Sequence, residues 1–321
     1  MNNNHIKNHS YLITGGAGFI GSNLVAYLLK YNAKKVRVLD NFSNGYRKNI
    51  SEFEQHPAFE LIEGDIRDLE TCKKAMKNID YVSHQAALGS VPRSIEDPIT
   101  TNAVNINGFL NIMVAYKDSN SVKRLVYAAS SSTYGDSKTL PKVEHEIGNP
   151  LSPYAVTKYV NELYADVFAK TYNTETIGLR YFNVFGPKQS PSGAYAAVIP
   201  LFMDAIKNNQ PPIIHGDGNQ TRDFTYVDNA VQANIRALFA NKKACNQVYN
   251  IACGERISIN DLWKHLKTLS SSNLNPRFVN SRQGDVKDSL ADISKAQGLL
   301  NYNPEVMTQQ GLEMAWEYLK K

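Results

Sequence analysis

Long apolar runs and paired cysteines are both missing from this 321-residue chain. No run of ~18 apolar residues could cross a membrane, and residues 1–10 are polar and rich in asparagine, unlike a signal peptide. The three cysteines, Cys72, Cys245 and Cys253, form no Cys-x-x-Cys motif and no metal-like cluster with histidine. We therefore expect no membrane partner, no disulfide framework and no metal site, and a cytoplasmic location.

The basic residues form no stripe or cluster. Lys and Arg number 35 against 30 Asp and Glu, a net charge of +5, but they are scattered along the chain. This distribution gives no indication of a nucleic-acid partner and only a weak indication of an anionic ligand. With 42% apolar residues the chain can bury a sizeable core, and its length favours about two domains.

A glycine turn follows the first apolar run, residues 11–13. Gly16, Gly18 and Gly21 match the motif GxGxxG, while Gly15, Gly18 and Gly21 match GxxGxxG, and leucines then recur at helical spacing. In this strand–turn–helix context, glycines let the backbone approach a pyrophosphate, and the helix N-terminus faces the phosphate charge. The pattern predicts a dinucleotide-binding site.

Asp40 indicates which dinucleotide is bound. It ends a predicted strand at residues 36–39 and lies 19 positions beyond Gly21. A carboxylate here accepts hydrogen bonds from ribose hydroxyls and repels a 2′-phosphate, so NAD is favoured over NADP. Arg47 and Lys48 leave NADP open, although we interpret them as part of a solvated loop.

Predicted strands and helices continue to alternate, which specifies an α/β fold with a doubly wound parallel sheet of the Rossmann type. Beyond residue 181 prolines become frequent and helices shorter, which indicates a second, smaller, interleaved α/β lobe for the substrate. We predict a dinucleotide domain at 1–180 and 226–253 and a substrate domain at 181–225 and 254–321. The further predicted strands and helices are the strands 59–63, 81–84, 125–129, 176–179 and 248–252 and the helices 67–77, 101–116, 227–239 and 312–319.

Three polar or small-residue segments follow strands of this predicted sheet: 15–21, 86–90 and 130–132. Ligands of doubly wound sheets bind outside the carboxyl ends of the strands. We therefore expect the three segments to line one crevice, with Asp65 near the adenine and Ala86–Ala87 allowing close approach of the backbone.

Residues 152–158 read Ser-Pro-Tyr-Ala-Val-Thr-Lys and begin a predicted helix. Ser152 suits the N-cap and a proline suits the first helical position. Tyr154 and Lys158, four residues apart, lie on one helix face, and the ammonium and the helix dipole should lower the phenol pKa. Because the same spacing occurs at 31/35 and 134/138, a surface pair without function remains an alternative for any one copy.

Longer segments resemble the extended short-chain dehydrogenase/reductase family over nearly the whole chain, and within it are most similar to bacterial UDP-N-acetylglucosamine 4-epimerases. The segments that carry this resemblance are GGAGFIG at 15–21, HQAALGSVPRS at 84–94, AASSSTYGD at 128–136, LSPYAVTKYVNELYADVFA at 151–169, RYFNVFG at 180–186 and GDVKDSLADISKA at 284–296.

The resemblance implies roles for these residues. Tyr154 would take the proton of the sugar 4-hydroxyl, Lys158 would keep the phenol acidic and bind the nicotinamide ribose, and Ser131 would hydrogen-bond the reacting oxygen, with Ser130 and Ser132 in support. NAD would accept and return a hydride as a tightly held catalyst. The implied NAD-binding residues are Gly15, Gly18, Phe19, Ile20, Gly21, Asp40, Asn41, Asp65, Ile66, Gln85, Ala86, Ala87, Tyr154, Lys158 and Tyr181.

The resemblance also implies a UDP-sugar substrate and a homodimer formed through helices near 101–116 and 154–170. The implied substrate-binding residues are Gly89, Ser90, Ser131, Asn183, Ala197, Val198, Arg222, Arg282, Asp285 and Ser289. Two of these residues have an alternative interpretation without a substrate. Asn183 would then cap a turn, and Arg222 would form an ion pair with Asp223.

Two features bear on the reaction and the sugar. Dehydratases of the family have an Asp-Glu pair directly after the serine or threonine that ends the strand, and decarboxylases have a Glu there. This chain has Ser132-Thr133 at that place, without a carboxylate. Glucose-restricted relatives carry a bulky aromatic residue where this chain has Ser289, which, with Gly89 and Ser90 opposite, would leave room for an N-acetyl group. We predict UDP-N-acetylhexosamine 4-epimerisation. The alternatives are epimerisation of UDP-glucose or UDP-N-acetylglucosaminuronate, dehydration, decarboxylation and a non-catalytic NAD-binding role. For Ser289 itself, the alternative is a surface serine that only fills space.

Overall fold

The computed structural model describes residues 3–191, 196–281 and 287–320. Its strands are β1 (Ser10–Thr14), β2 (Lys35–Asp40), β3 (Phe59–Glu63), β4 (Tyr81–His84), β5 (Arg124–Ser130), β6 (Thr176–Tyr181), β7 (Val184–Phe185), β8 (Ile213–His215), β9 (Thr221–Arg222), β10 (Thr225–Tyr226), β11 (Gln247–Ile251), β12 (Ile257–Ser258) and β13 (Arg277–Val279).

Helices separate most of these strands. They are α1 (Phe19–Lys30), α2 (Leu69–Met76), α3 (Val91–Glu96), α4 (Pro98–Asn102), α5 (Phe109–Lys117), α6 (Pro153–Tyr172), α7 (Val198–Lys207), α8 (Val227–Leu238), α9 (Ile259–Ser270), α10 (Ser294–Leu300) and α11 (Thr308–Leu319). Among the described helices, none combines the length and the apolar character needed to cross a membrane. The cytoplasmic location stays a prediction.

A seven-stranded parallel sheet organises the larger lobe, in the order β11-β6-β5-β4-β1-β2-β3. The strand order reverses between β1 and β4, because β2 and β3 extend to one side of β1 and β4, β5 and β6 to the other. All five residues of β1 are buried, since apolar helices cover both faces of the sheet. The predicted doubly wound α/β fold is confirmed, and its ligand crevice is expected at this reversal.

The smaller lobe is built from α7, α9 and α11, with the short strand pairs β7/β10, β8/β13 and β9/β12. Phe202 and Trp263 pack edge to face in its apolar core. The chain then returns to the larger lobe through α8 and β11, where Tyr249 of β11 pairs with Leu179 of β6. The lobes therefore interleave as predicted, while the exact domain boundaries stay a prediction.

The helix predicted at 101–116 differs from the observed one. A π-helix, Ala103–Gly108, joins α4 to α5, and the preceding helix α3 was not predicted. Asn105 lies in the π-helix, where its side chain hydrogen-bonds the backbone N–H and C=O of Leu88 and the hydroxyl of Thr157. These contacts with the loop after β4 and with α6 depend on the tertiary structure, so hydrophobic periodicity does not indicate them.

Candidate active site

A cavity of about 680 Å³ opens at the carboxyl ends of the central strands. The three segments predicted to converge, which follow β1, β4 and β5, all line it. The smaller lobe supplies the opposite wall through residues near 183, 197, 222 and 289. The volume is typical of a site for a bound cofactor or substrate.

The glycine turn packs its backbone too closely for any side chain. Gly15 has φ of +68°, and a Cβ built there would lie 2.7 Å from the nitrogen of Ala86. A Cβ on Gly21 would lie 2.1 Å from the carbonyl oxygen of Gly15. The turn therefore presents main-chain groups to the cavity at the N-terminus of α1, an arrangement that fits a pyrophosphate.

Asp40 lines the cavity while also bracing the turn. Its carboxylate accepts hydrogen bonds from the backbone N–H groups of Ala17 (2.9 Å) and Phe42 (2.8 Å), and burial raises its pKa above the ordinary value. Each carboxylate oxygen retains a lone pair that a ribose hydroxyl could use. Arg47 instead forms exposed ion pairs with two glutamates, including Glu54 at 2.9 Å, which supports the solvated-loop interpretation.

Polar side chains hold two further predicted NAD-binding residues, Asp65 and Tyr181, in place. The Arg67 guanidinium beside Asp65 lowers the pKa of that carboxyl to about 2, and Asn41 also donates to it. The Tyr181 hydroxyl accepts from Asn234 (2.6 Å) and contacts the Gln85 amide oxygen at 3.3 Å. The other predicted cofactor residues that line the cavity are Gly18, Phe19, Ile20, Ile66, Ala86 and Ala87.

Helix α6 begins as the sequence predicts. Ser152 is its N-cap, accepting from the backbone N–H of Ala155 at 3.2 Å, with a proline at the first helical position. Tyr154 and Lys158 both line the cavity, and the ammonium lies 5.9 Å from the centre of the phenol ring. The other copies of this spacing differ: Tyr31 follows α1, outside the residues lining this cavity, while the hydroxyl of Tyr134 hydrogen-bonds Asn250.

The predicted lowering of the Tyr154 pKa is wrong for the folded chain. Burial raises the pKa of Tyr154, and a hydrogen bond with Ser130 only partly opposes it. Burial also lowers the pKa of Lys158 to about 8, and its ammonium donates to the carbonyl of Ala128 at 2.8 Å. Burial removes both side chains from water and so disfavours the phenolate and the ammonium. This effect outweighs the attraction between these two charges, on which the predicted lowering of the phenol pKa depends.

A buried ion pair lies one turn along α6 from Lys158. Glu162 raises the pKa of Lys158, which counteracts part of the effect of burial. Arg180 donates two hydrogen bonds to the Glu162 carboxylate, at 2.9 and 2.7 Å, so this carboxylate is itself compensated. The sequence singled out Arg180 only as part of a resembling motif, because the pairing joins α6 to β6 across the fold.

Ser130, which ends β5, is hydrogen-bonded to Ser132. The Ser130 hydroxyl accepts hydrogen bonds from the backbone N–H of Ser132 (3.1 Å) and from its hydroxyl (2.9 Å). Ser130, Ser131 and Ser132 all line the cavity, but Ser130 is the serine that hydrogen-bonds Tyr154. The role predicted for Ser131 stays a prediction.

The opposite wall contains four of the ten predicted substrate residues, namely Asn183, Ala197, Arg222 and Ser289. Asn183 donates to the carbonyl of Asp223 at 2.9 Å, and Arg222 donates to the carbonyls of Thr221 and Lys287 at 2.9 and 3.1 Å. The Asp223 carboxylate accepts from the backbone N–H groups of residues 253, 254 and 291. The substrate residues that line the cavity are Gly89, Ser90, Ser131, Asn183, Ala197, Arg222 and Ser289.

Three predicted substrate residues stay predictions without support from the cavity lining. Val198 is not among the described residues lining the cavity. It begins α7, and its side chain packs against the apolar core of the smaller lobe, so its contact with the substrate stays a prediction. Arg282 and Asp285 lie outside the described residues.

Other polar residues line the cavity without having been predicted, including Arg93, Lys142, Lys188 and Asp288. Lys142 lies in the irregular connection between β5 and α6, where the sequence has no periodicity that would indicate its position. Lys188 donates to the carbonyl of Asn49 at 2.7 Å, which links the two lobes. Arg93 and Asp288 lie within the segments 84–94 and 284–296 that carry the family resemblance, whereas Lys142 and Lys188 lie outside every such segment and are placed by long-range packing.

Comparison with known proteins agrees with this geometry. Residues 11–252 match the model of the NAD dependent epimerase/dehydratase family. A putative UDP-glucose 4-epimerase of Methanocaldococcus jannaschii is 38% identical over 311 residues, covering 96% of this chain and 98% of the relative.

Two solved structures are also similar. A UDP-N-acetylglucosamine 4-epimerase from Methanobrevibacter ruminantium, in complex with UDP-N-acetylmuramic acid, superimposes with a TM-score of 0.91 at 38% identity, covering 97% of this chain and 98% of that one. A UDP-glucuronic acid 4-epimerase from Bacillus cereus, in complex with UDP-glucuronic acid and NAD, superimposes with a TM-score of 0.90 at 34% identity, covering 97% and 99%.

Proposed function

The chain belongs to the NAD-dependent epimerase/dehydratase family and is an NAD-dependent UDP-sugar 4-epimerase, and on this basis we propose that it interconverts UDP-GlcNAc and UDP-GalNAc. The space beside Ser289 carries this choice of sugar. Ser289 and Gly89 both line the cavity, and a Cβ on Gly89 would meet no atom within 4 Å. Small residues here leave room for an acetamide group, and the similar UDP-N-acetylglucosamine 4-epimerase supports the assignment.

Tyr154 is the proposed base for the proton of the sugar 4-hydroxyl. Ser130 and Ser131, which line the same part of the cavity, can hydrogen-bond the reacting oxygen and hold it against the phenol. Lys158 supplies the positive charge that stabilises a phenolate. Gly15, Gly21 and Asp40 would hold NAD, which would accept a hydride from C4 of the sugar and give it back to the other face of the 4-keto sugar. Tyr154 then gives back the proton, so no net oxidation results.

Proton transfer to a leaving hydroxyl would need an acid near this tyrosine. Among the described residues, the carboxylates that line the cavity are Asp40, Asp65 and Asp288. Asp40 ends β2 and Asp65 follows β3, while Asp288 accepts a hydrogen bond from the Thr221 hydroxyl at 2.7 Å in the smaller lobe. This arrangement favours epimerisation over dehydration or decarboxylation.

The smaller lobe is proposed to hold UDP while the hexose turns over. Arg222 can donate to the diphosphate, because a guanidinium offers a charged planar fork. Asn183 and Ala197 line the cavity in the same lobe. Ser90 and Ser289 would contact the hexose more loosely.

Product analysis of the purified protein tests the proposal. Incubation with UDP-GlcNAc without added NAD should yield a mixture with UDP-GalNAc, because the cofactor is held through turnover. UDP-glucose should react with a lower kcat/KM. NAD released on denaturation confirms that the preparation is loaded, and failure of loaded protein to form UDP-GalNAc would refute the proposed substrate.

A homodimer through α6 and its neighbours is also proposed. Exposed apolar side chains follow one face of α6 at Val156, Leu163 and Val167, and the adjacent α3 and α4 expose Ile95 and Ile99, the latter 82% exposed. An apolar surface formed by neighbouring helices is typical of a subunit interface. Light scattering should give twice the monomer mass, and Leu163→Asp should give the monomer. A monomeric wild type would refute the proposed dimer.

A further inference from the structure

A buried network of polar side chains lies beside the strand ends that hold the tyrosine–lysine pair. At its centre is Asn234 of α8, which is fully buried and is not among the described residues lining the cavity. Its amide oxygen accepts hydrogen bonds from the Ser83 hydroxyl (3.0 Å) and the Gln85 amide (3.1 Å), and its amide nitrogen donates to the Tyr181 hydroxyl (2.6 Å). Two members of the network, Gln85 and Tyr181, line the cavity.

The hydrogens of this network are used within the protein. Burial raises the pKa of Tyr181 to about 12, so its hydroxyl keeps the proton and donates it to the Gln85 amide oxygen at 3.3 Å. The Gln85 amide nitrogen donates to Ser83 (2.9 Å) and to Asn234. The second N–H of Asn234 goes to the carbonyl of Ala230, one turn earlier in α8. Loss of the Asn234 amide would leave buried donors without an acceptor, so this residue fixes the orientation of both cavity residues.

The register of the central sheet places the network next to the proposed catalytic pair. Tyr181 is the register partner of Ser130, which hydrogen-bonds the proposed base. Gln85 follows β4 at the level of Ala128 in β5, whose carbonyl accepts from the Lys158 ammonium. Neighbouring strands lie about 4.8 Å apart. A hydride passes only between groups in contact, so the nicotinamide must lie beside the carbon that the base serves, within reach of Gln85 and Tyr181.

We propose that Asn234 is a positioning residue for hydride transfer: it fixes Gln85 and Tyr181, which hold the nicotinamide ring against C4 of the sugar. The inference rests on the proposed function, in which the C4–H bond gives hydrogen and two electrons to NAD while the 4-hydroxyl gives its proton to Tyr154. Both are then returned to the 4-keto sugar. The free lone pairs of Gln85 and Tyr181 can accept hydrogen bonds from the nicotinamide amide or its ribose.

Asn234→Leu removes the amide and keeps its branched shape. The kcat for UDP-GlcNAc should fall roughly 10- to 100-fold with an unchanged KM, because a small misplacement of reacting groups has an effect of this size. The deuterium isotope effect on kcat, measured with substrate labelled at C4, should rise, since hydride transfer becomes the slowest step. The fluorescence anisotropy of protein reconstituted with NADH should fall, because the ring gains freedom, and this measurement needs no sugar.

Tyr181→Phe tests whether Asn234 acts through the cavity residues. It removes one hydroxyl and should change the same three quantities, so it also serves if Asn234→Leu does not fold. The double variant should lose no more kcat than Asn234→Leu alone, because both changes break one network.

Gln232→Met is the matched control. Gln232 is another buried amide of α8, its partner is Glu305, and it is not among the described residues lining the cavity. The variant should lower the unfolding temperature and leave the isotope effect and the anisotropy at wild-type values.

Other results would overturn the inference. A lower unfolding temperature in Asn234→Leu with a wild-type isotope effect and anisotropy would make Asn234 purely structural. Losses of kcat that multiply in the double variant would show that Asn234 does not act through Tyr181. NAD-loaded wild type that epimerises no UDP-hexose would refute the proposed function instead, and the anisotropy would then decide by itself whether Asn234 holds the ring.

Discussion

The two walls of the active-site cavity are made in different ways. The wall formed after β1 consists of main chain, and a methyl group on Gly15 or Gly21 would approach backbone atoms to 2.7 or 2.1 Å. The wall formed by the smaller lobe consists of side chains such as Arg222 and Ser289, carried on or beside strands of two residues. The first wall has a shape that almost no substitution preserves, while the second can change its chemistry without a change of fold.

This difference assigns the walls different functions. A cofactor that stays bound through every turnover requires one invariant shape, which close backbone packing provides. A hexose that must turn over requires room and a few side chains that distinguish its substituents. Tyr154 and Lys158 lie on α6, a long helix that packs on the central sheet, so the chemistry belongs to the rigid part.

The largest effect is expected from Gly21→Ala. The new methyl group cannot coexist with the Gly15 carbonyl, so the turn must open. NAD should be lost on purification and epimerase activity should be undetectable, measured by NAD released on denaturation and by turnover. Gly298→Ala, in α10 with open space around it, is the control and should keep both. Normal NAD content in Gly21→Ala would contradict the rigid-wall description.

Tyr154→Phe should remove the chemistry and leave both walls intact. Loss of a general base lowers kcat by roughly 10²- to 10⁴-fold. NAD content and the unfolding temperature should stay at wild-type values. Tyr31→Phe, which has the same spacing to a lysine outside the cavity, should change kcat by less than about twofold. Retained function in Tyr154→Phe would instead favour a non-catalytic NAD-binding protein.

Ser289→Tyr tests whether the second wall selects substituents by size. A ring filling the space beside Gly89 should lower kcat/KM for UDP-GlcNAc by about 10-fold or more relative to UDP-glucose. Ser289→Ala separates the loss of the hydroxyl from the gain of volume. A parallel decrease for both sugars would show that this residue does not discriminate the acetamide group.

The smallest effect is a change in pH dependence. Burial lowers the pKa of Lys158 to about 8. Below that pH the pair consists of a neutral Tyr154 phenol and a Lys158 ammonium. Removing one proton allows the phenolate–ammonium form, so kcat should rise with pH up to an apparent pKa of about 8 or lower, because the cationic nicotinamide of bound NAD lowers it further. Lys158→Met should shift this rise to higher pH. A wild-type rise centred above pH 9 would contradict the assignment.

Much of the dinucleotide half was predictable because its signals are local. A glycine turn between a strand and a helix, an acid ending the next strand, and Ser152 capping a helix each act within a few residues. The strands at 59–63 and 81–84 were predicted with their observed bounds. The π-helix around Asn105 was missed because its partners, Leu88 and Thr157, are distant in the chain.

The sequence by itself therefore determined the parallel sheet, the NAD-binding turn and the tyrosine–lysine pair, since backbone geometry and side-chain spacing are properties of short segments. Tertiary structure alone decided how burial acts on that pair, because it raises the pKa of Tyr154 and lowers the pKa of Lys158. It also packed Val198 against the core of the smaller lobe and brought Lys142 to the cavity. Desolvation and long-range contacts depend on the whole fold, and no local pattern encodes them.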